Sequence, residues 1–384
     1  MTTDSQRHET IATAFQNRFG GSPQLWCRAP GRVDLMGSHT DYNLGAVLTL
    51  PIGRDTWVAA RPNGTRMVNL HSCNMGADAS FDLDSTAKHA DQPWIDYVHG
   101  VAVMLQEDGL TTNGFDGVIH STVPMSSGLS SSAALECAVA TVFEAIGGWQ
   151  LEPLQKAVLC QRAENRFVGV NCGILDQFTS TMGQAGCALL LDCRNLSSTP
   201  VAIAAGIGVV ICDTKSKREL AGSEYGERRD QCEEGARMLG ADALCALTPA
   251  QYFAREHELP AMVAKRCRFI IEENARVNAL ADALTAGDRT AISRLTAASF
   301  DGACHLYEIA APAMLAMMNA MLAAPGVIGA RQAGAGFGGC MVAFVEESMV
   351  DGFAAAVREH YLAGTGLQAE IYPVTAAAGA GMVG

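Results

Sequence analysis

The segment that decides the fold lies near the start of the chain, where residues 28–43 read RAPGRVDLMGSHTDYN. Two loops of small residues follow it in order: residues 124–134 read PMSSGLSSSAA, and residues 334–339 read GAGFGG. Each segment taken alone has an ordinary structural explanation. The fold can therefore be assigned only because all three segments occur in one chain and in this order.

The loop at residues 124–134 has the composition of a phosphate-binding segment. It follows a predicted strand at 117–121 and opens a predicted apolar helix at 133–146. Small side chains let backbone amides approach a ligand closely, and the first turn of a helix presents unpaired amides and a positive dipole end to an anion. A serine-rich helix cap explains the same sequence equally well. The loop is not a Walker loop, because GxxxxGKS and GxxxxGKT do not occur in the chain.

The loop at residues 334–339 satisfies the GxGxxG spacing of a dinucleotide-binding fold, but its context excludes that interpretation. Residues 340–345 read as a strand rather than a helix, and no acidic residue stands at the ribose-binding spacing. We predict instead a tight glycine turn that joins two strands. Its glycines also allow the loop to press against a neighbouring site; they are Gly334, Gly336, Gly338 and Gly339.

The bulk composition is that of a folded protein of two domains. The chain has 384 residues, of which 49% are hydrophobic and 17% charged. A net charge of −13 argues against a nucleic-acid or anionic-membrane binder, since both need a positive surface. The 13 cysteines contain no CxxC pair, which indicates reduced thiols. With neither a signal segment nor an apolar stretch of transmembrane length, we expect a cytoplasmic protein.

The mixed order of strands and helices predicts an α+β architecture. We place the domain boundary near residue 205, which gives domains at 1–205 and 206–384. The predicted strands are 25–28, 46–52, 56–60, 117–121, 187–191, 208–212, 340–345 and 368–373, and the predicted helices are 8–19, 94–106, 133–146, 154–168, 175–182 and 350–361.

Residues 28–43 closely resemble the galactokinase signature, whose usual form is GRVNLIGEHTDYN. The two small-residue loops resemble the other two motifs of the GHMP kinase superfamily, in the family's order. Further similar segments are WIDYV at 94–98, CGILDQF at 172–178, SEY at 223–225 with the arginine pair at 228–229, and RV at 276–277. The resemblance implies a ribosomal-protein-S5-like N-terminal domain, a ferredoxin-like C-terminal domain and a site in the cleft between them. It also allows the final strand to return to the first domain.

The same resemblance implies a sugar 1-kinase that transfers phosphate from ATP to the anomeric hydroxyl of galactose. Asp176 matches the family's catalytic carboxylate, which is placed to accept the proton of that hydroxyl. Arg32 matches the arginine beside it, whose charge would keep Asp176 ionised and stabilise the transferring group. Both base abstraction and a mainly electrostatic role remain open for Asp176.

ATP and Mg²⁺ are the expected cofactor set. By the family match, Ser132 and Glu164 are the magnesium ligands, since two oxygen ligands suit an ion that keeps waters and binds ATP phosphates. Trp94 and Tyr97 resemble an aromatic pair near the adenine, although core packing would also explain them. The residues expected to bind ATP are Trp94, Tyr97, Ser126, Gly128, Leu129, Ser130, Ser131, Ser132 and Ala133.

The sugar is expected to lie against the signature segment. The resemblance places Asp41 at the C3 and C4 hydroxyls, because one carboxylate can accept both. It places His39 toward C6, Tyr225 near the C4 hydroxyl, and the Gly173 backbone beside the sugar. Ser38 completes the predicted substrate contacts.

Ser38 is the main departure, because galactokinases carry at this position a glutamate that binds the C6 hydroxyl. A charged hydrogen bond of this kind contributes roughly 1.5–3 kcal/mol. Serine could bind that hydroxyl directly or through water, or could tolerate a C6 carboxylate or a sugar without C6. Galacturonate and L-arabinose therefore remain alternative substrates. Asp34 also replaces the usual asparagine, and Phe269 stands where related enzymes often have histidine.

An alternative from another class is a galactokinase-like sensor that binds sugar and ATP without turnover. Such a protein is expected to have a damaged phosphate loop. Here Ser132, Ala133 and Asp176 all match the family, which favours an enzyme.

Overall fold

The computed structural model describes residues 4–125, 127–216 and 221–383, and these contain both strands and helices, as predicted. None of the described helices is both long and apolar enough to cross a bilayer. The strands are β1 Leu25–Met36, β2 Ala46–Pro62, β3 Met67–Ser72, β4 Ala77–Asp82, β5 Phe115–Ser121, β6 Cys187–Asp192, β7 Ser197–Ala202, β8 Ile207–Asp213, β9 Val327–Gln332, β10 Cys340–Glu346, β11 Glu370–Val374 and β12 Gly381–Met382. The helices are α1 Asp4–Phe19, α2 Asp96–Glu107, α3 Ser131–Gly147, α4 Pro153–Arg162, α5 Leu175–Met182, α6 Ala221–Met238, α7 Pro249–Arg255, α8 Ala261–Ala286, α9 Arg289–His305, α10 Pro312–Leu322 and α11 Val350–Thr365.

The larger sheet has the strand order β12-β1-β2-β5-β3-β4, with β6 and β7 attached to β2. Its β2 is one strand, although the sequence predicted two strands at 46–52 and 56–60. The polar residues between those two runs mark a change of partner rather than a turn. On one side β2 pairs with β1 along most of its length, while on the other its first part pairs with β6 and its last part with β5.

The smaller sheet is antiparallel, with the order β11-β8-β10-β9. Its β9 and β10 are joined by residues 333–339, so the glycine segment is a turn between two strands, as predicted. The strand predicted at 368–373 corresponds to β11 and pairs with β8 in this sheet; it is the two-residue β12 that returns to pair with β1. The domain boundary near 205 stays a prediction.

A shared apolar core lies between the two sheets. It contains Val33 and Leu50 from the larger sheet, Ile211 and Phe344 from the smaller sheet, and Leu280 from α8. These five side chains are at most 1% exposed. Burial of this apolar surface fixes the end of β1 between the two sheets.

A buried ion cluster fastens the turn after β1 to the second half of the chain. The Glu273 carboxylate on α8 accepts hydrogen bonds from the Gly37 backbone amide (3.2 Å), Ser299 Oγ (2.9 Å), Arg331 Nη2 (2.8 Å) and Arg276 Nε (2.9 Å). Burial alone would raise the pKa of Glu273, but the two arginines lower it below its ordinary value. The carboxylate therefore joins β1, α8, α9 and β9 at one point.

We expect Glu273→Ala to lower the free energy of unfolding by about 3–5 kcal/mol, because it leaves the charge of the fully buried Arg331 without its closest partner. The matched control is Glu272→Ala, which removes a partly exposed side chain paired with Arg268 and Arg276. That change should cost less than about 1 kcal/mol. Denaturant unfolding followed by near-UV circular dichroism measures both, and equal losses would contradict the role of Glu273.

Candidate active site

Eleven of the predicted site residues line one cavity of about 300 Å³. Its walls come from β1 and the turn after it, the loop before α3, the start of α5, α6 and the glycine turn. Segments far apart in the sequence thus form a single site. The predicted residues that line it are Arg32, His39, Asp41, Gly128, Ser130, Ser131, Ser132, Gly173, Asp176, Tyr225 and Gly334.

Arg32 and Asp176 form an ion pair in this cavity. Arg32 donates to Asp176 Oδ1 from Nε (2.9 Å) and from Nη2 (2.5 Å), and its Nη1 donates to the Gly128 carbonyl (2.7 Å). Asp176 lies in the first turn of α5, where the helix dipole favours a negative charge. Its Oδ2 accepts no hydrogen bond from the residues that the structure describes. The guanidinium thus orients one carboxylate oxygen and leaves the other for a ligand.

The start of α3 forms one end of the cavity and has the features of an anion-binding site. Ser130, the residue before the helix, has a left-handed backbone with φ 61°. Such a conformation costs about 1–3 kcal/mol and tends to occur at functional sites. The Ser130 hydroxyl is buried and has no hydrogen-bond partner within the described ranges. Ser131 and Ser132 line the cavity in the first helical turn, where backbone amides are unpaired.

Not every residue predicted in the serine-rich loop reaches the cavity. Leu129 and Ala133 are buried and lie outside its lining. The Leu129 carbonyl accepts a hydrogen bond from the Arg32 amide (3.1 Å), so this residue supports β1. Ser126 lies outside the described residues.

Two buried glutamates lie beside this end of the cavity. Gln177 Nε2 donates to Glu136 Oε2 (3.0 Å) and to Glu164 Oε2 (2.6 Å). Burial, together with the charge of Asp176, raises the pKa of Glu164 to about 7, and burial raises the pKa of Glu136 well above its ordinary value. Ser132 donates a hydrogen bond to Glu164, and Glu136 Oε1 has no partner in the described part of the chain. Such a group of hard oxygen donors fits a divalent cation such as Mg²⁺.

The predicted aromatic pair lies outside the cavity lining. Tyr97 is half-buried near Glu164, and burial followed by that charge raises the pKa of Tyr97 to about 12. Trp94 packs against the N-terminal core, and its Nε1 is buried with no partner among the described residues. A nucleotide contact for either residue stays a prediction.

His39 is held by protein contacts at both ring nitrogens. Its Nε2 donates to the Ala335 carbonyl of the glycine turn (2.9 Å), so its Nδ1 accepts from the Tyr42 hydroxyl (2.8 Å). Burial lowers the pKa of His39 to about 4, which keeps the ring neutral. Its backbone is left-handed (φ 65°) and is supported by a hydrogen bond from Asn43 Nδ2 to the His39 carbonyl (2.8 Å).

Asp41 and Gly173 lie against each other. A Cβ atom at Gly173 would lie 2.0 Å from Asp41 Oδ2, so a larger residue there would displace the Asp41 carboxylate. Burial raises the pKa of Asp41 to about 6, and the negative charge of Asp176 adds to the increase. Tyr225 completes this wall, with its ring 5.2 Å from that of His39.

Ser38 does not line the cavity, although it was predicted as a substrate contact. It is 1% exposed, and its hydroxyl accepts from Arg331 Nη2 (2.9 Å) and donates to Asp34 Oδ2 (3.2 Å). The sugar contact of Ser38 therefore stays a prediction. Asp34 and Cys172, by contrast, line the cavity without having been predicted to.

The sequence signalled Asp34 only as a departure from the usual signature. Arg331 carried no local signal, because its contacts come from segments far away in the chain. Glu136 likewise looked like an ordinary helical charge.

The glycine turn contacts the site at one end and packs into the second sheet at the other. Gly334 lines the cavity, whereas Gly336, Gly338 and Gly339 do not. All four have positive φ, and a Cβ atom at Gly336 would lie 2.8 Å from the Ile309 backbone. Glycine is therefore needed for the turn's conformation and for its close packing.

Three protein-family profiles match the chain. The profile described as the galactokinase galactose-binding signature matches residues 13–62, the GHMP kinases N terminal domain matches 96–184, and the GHMP kinases C terminal profile matches 280–363. Together they include β1, the serine-rich loop and strands β9 and β10 of the second sheet.

Similar proteins and solved structures match over nearly the whole chain. Galactokinases of Chloroflexus aggregans and Chloroflexus aurantiacus are 41% and 40% identical to it, over 97% of this chain and 96% of theirs. The crystal structure of Lactococcus lactis galactokinase complexed with galactose has a TM-score of 0.93 and 32% identity, covering 98% of this chain and 99% of that one. A mevalonate kinase structure, with a TM-score of 0.65 and 15% identity, shares the fold.

The raised pKa of Glu164 predicts a pH-dependent effect on stability. The folded protein keeps this proton up to about pH 7, whereas the unfolded chain loses it near pH 4.3. Ionisation of Glu164 therefore lowers the free energy of unfolding as pH rises through this window. In EDTA, Glu164→Gln should match wild type near pH 4 and exceed it by up to about 3 kcal/mol at pH 8.

Denaturant unfolding of both proteins between pH 4 and 8 measures this difference, with the exposed Glu347→Gln as control. Saturating Mg²⁺ should reduce the difference, because a bound cation stabilises the ionised carboxylate of wild type. If the difference in unfolding free energy between wild type and Glu164→Gln stayed constant with pH, the raised pKa of Glu164 would be refuted.

Proposed function

Because the chain belongs to the galactokinase family of the GHMP kinases, we propose that it is an ATP-dependent galactose 1-kinase. It transfers the terminal phosphoryl group of ATP to the anomeric hydroxyl of galactose, which yields galactose 1-phosphate and ADP. The observation that carries this proposal is the Arg32–Asp176 pair, which shares one cavity with the start of α3. A proton acceptor beside an anion-binding helix start is what phosphoryl transfer to a hydroxyl requires.

Asp176 receives the proton of the anomeric hydroxyl. The support is geometric, since Arg32 binds Oδ1 and the described residues leave Oδ2 without a donor. The positive charge of Arg32 stabilises negative charge that develops on the transferred group. Arg32 therefore both positions the carboxylate and contributes electrostatically.

The phosphates of ATP bind at the first turn of α3. The left-handed backbone of Ser130, the glycine at 128 and the unpaired amides at the helix start support this position. The Ser130 hydroxyl, buried without a partner among the described residues, has a donor available for a phosphate oxygen. Trp94 and Tyr97 are proposed to contact the adenine ring of ATP.

Ser132 and Glu164 would hold the magnesium ion. Burial and the charge of Asp176 raise the pKa of Glu164, which a cation at this position would offset. Mg²⁺, when bound, supplies positive charge that neutralises the phosphates during transfer. Gln177 orients Glu164 and joins it to Glu136.

Asp41 accepts the C3 and C4 hydroxyls of galactose, and Tyr225 lies near the C4 hydroxyl. The absence of a side chain at Gly173 leaves room for the Asp41 carboxylate. His39 contributes a neutral wall on the C6 side, since both of its ring nitrogens bind protein groups.

The cytoplasm is the proposed site of action. No disulfide joins any of the 13 cysteines, all of which lie within the described residues, and a reducing compartment would keep them so.

Purified wild-type protein should consume ATP in the presence of Mg²⁺ and galactose, and phosphorus NMR should identify galactose 1-phosphate as the product. Release of ADP that does not depend on any sugar, or binding of sugar without turnover, would contradict the proposed activity.

We expect Asp176→Asn to lower kcat by about 10²- to 10⁴-fold, because the amide cannot accept the proton. ATP affinity, measured by calorimetry, should stay within about twofold of wild type, since Asp176 is assigned no contact with the nucleotide. Asp91→Asn, at an exposed position outside the cavity, is the matched control. Near-normal turnover of Asp176→Asn, with deamidation excluded by mass spectrometry, would refute the role.

A further inference from the structure

The Asp34 carboxylate is a cavity group that the reaction described above does not use. It lies on β1 two residues after Arg32, so both side chains are on the same face of the strand. It lines the cavity yet is only 1% exposed. Its Oδ2 accepts the Ser38 hydroxyl (3.2 Å), whereas its Oδ1 accepts no hydrogen bond from the described residues. A buried carboxylate oxygen without a donor is costly, so this position favours a ligand that supplies one.

The surroundings of Asp34 decide what kind of ligand fits. Arg331 Nη1 lies 3.8 Å from Asp34 Oδ1 and donates no hydrogen bond to any described residue. Arg331 itself is fully buried and lies outside the cavity lining. Its charge is already balanced by Glu273 and Asp34, so it is not a free cation for an anionic ligand. Arg331 acts as a buried counter-charge that positions Asp34.

We propose that Asp34 Oδ1 accepts a hydrogen bond from the C6 hydroxyl of the sugar and is the residue that selects a neutral hexose with a primary hydroxyl. This inference rests on the proposed galactose 1-kinase function. The C1 end of the cavity is occupied by Arg32 and Asp176, and the ring hydroxyls are assigned to Asp41. The exocyclic hydroxyl is left for Asp34.

Ser38 supports the same assignment. It occupies the signature position at which the usual form carries glutamate, yet here its hydroxyl only bridges Asp34 and Arg331. Relative to the usual form, the carboxylate has moved from position 38 to position 34, where asparagine is usual. The two changes together keep one carboxylate next to Arg331 and next to the cavity.

The charge of Asp34 discriminates among the alternative sugars. The C6 hydroxyl of galactose can donate to Oδ1. L-arabinose and 6-deoxygalactose lack this hydroxyl and leave Oδ1 unpaired. Galacturonate would place a second negative charge against Asp34, and Arg32, the one cationic residue among the described lining residues, is already paired with Asp176. The structure therefore favours galactose over both alternatives.

Specificity constants of the wild-type enzyme test the proposal without any substitution. We expect kcat/KM for 6-deoxygalactose and for L-arabinose to be about 10- to 150-fold below that for galactose, and galacturonate to give no measurable turnover. Galactose and 6-deoxygalactose within about twofold of each other, or a preference for galacturonate, would overturn the proposal. Turnover of none of these sugars would instead refute the kinase activity, so the two failures are distinguishable.

A substitution cycle then tests Asp34 itself. Asp34→Asn should lower kcat/KM for galactose by the same 10- to 150-fold and for 6-deoxygalactose much less, so that the ratio between the two sugars approaches one. The rescue variant, Asp34→Asn with Ser38→Glu, returns the carboxylate to the usual position and should restore most of the ratio. Equal losses for both sugars in Asp34→Asn would overturn the role. If Asp34→Asn alone fails to fold, the wild-type sugar series and the charge-balanced double variant still decide.

Discussion

The ion pair between Arg331 and Glu273 is the contact on which the geometry of the site depends. Both groups are fully buried, so they are tolerated only with hydrogen bonds that replace their lost hydration. The Gly37 amide and the Ser38 hydroxyl, both in the turn after β1, supply part of these bonds. The turn that carries His39 and Asp41 is therefore held by residues more than two hundred positions later in the chain. The position of this turn, which carries the proposed sugar contacts, therefore depends on the packing of the two halves of the chain.

At the end of the cavity where we propose that phosphate binds, carboxylates outnumber cations among the described residues. Glu136, Glu164 and Asp176 are close enough to raise one another's energy, and Arg32 pairs with Asp176 alone. Burying such carboxylates costs stability in the protein without ligands. In the proposed complex, a bound divalent cation would offset this cost, so the lower stability of the unliganded protein would be recovered on binding.

The sequence predicted the features that are encoded locally. The serine-rich loop, the CGILDQF segment and the signature each contain their candidate binding or catalytic residues within a few positions. Most of these candidate residues line one cavity in the structure. The α+β class and the glycine turn also followed from local patterns. Asp176 and Arg32 could be paired in advance only because a family resemblance joined two distant segments.

What the sequence could not predict depends on contacts between distant segments. Ser38 was expected at the sugar, but Arg331 binds its hydroxyl away from the cavity lining. The continuity of β2 was missed because residues 53–55 interrupt its apolar pattern, while a change of partner strand explains them. Asp34 looked like an unexplained substitution until its position beside Arg331 was known.

The charge balance of the cavity has a consequence for the design of inhibitors. Among the described residues, the charged lining consists of Asp34, Asp41 and Asp176 against Arg32, since burial keeps His39 neutral. Arg331 balances Asp34 from outside the lining, which leaves Asp41 and Asp176 against Arg32. A ring with a protonated nitrogen, as in an iminosugar, would meet an excess of negative charge from Asp41 and Asp176. Each such pair contributes roughly 1 kcal/mol in water and several-fold more where water is excluded. A positive charge placed within the ring is therefore expected to increase the affinity of an inhibitor for this cavity more than added bulk would.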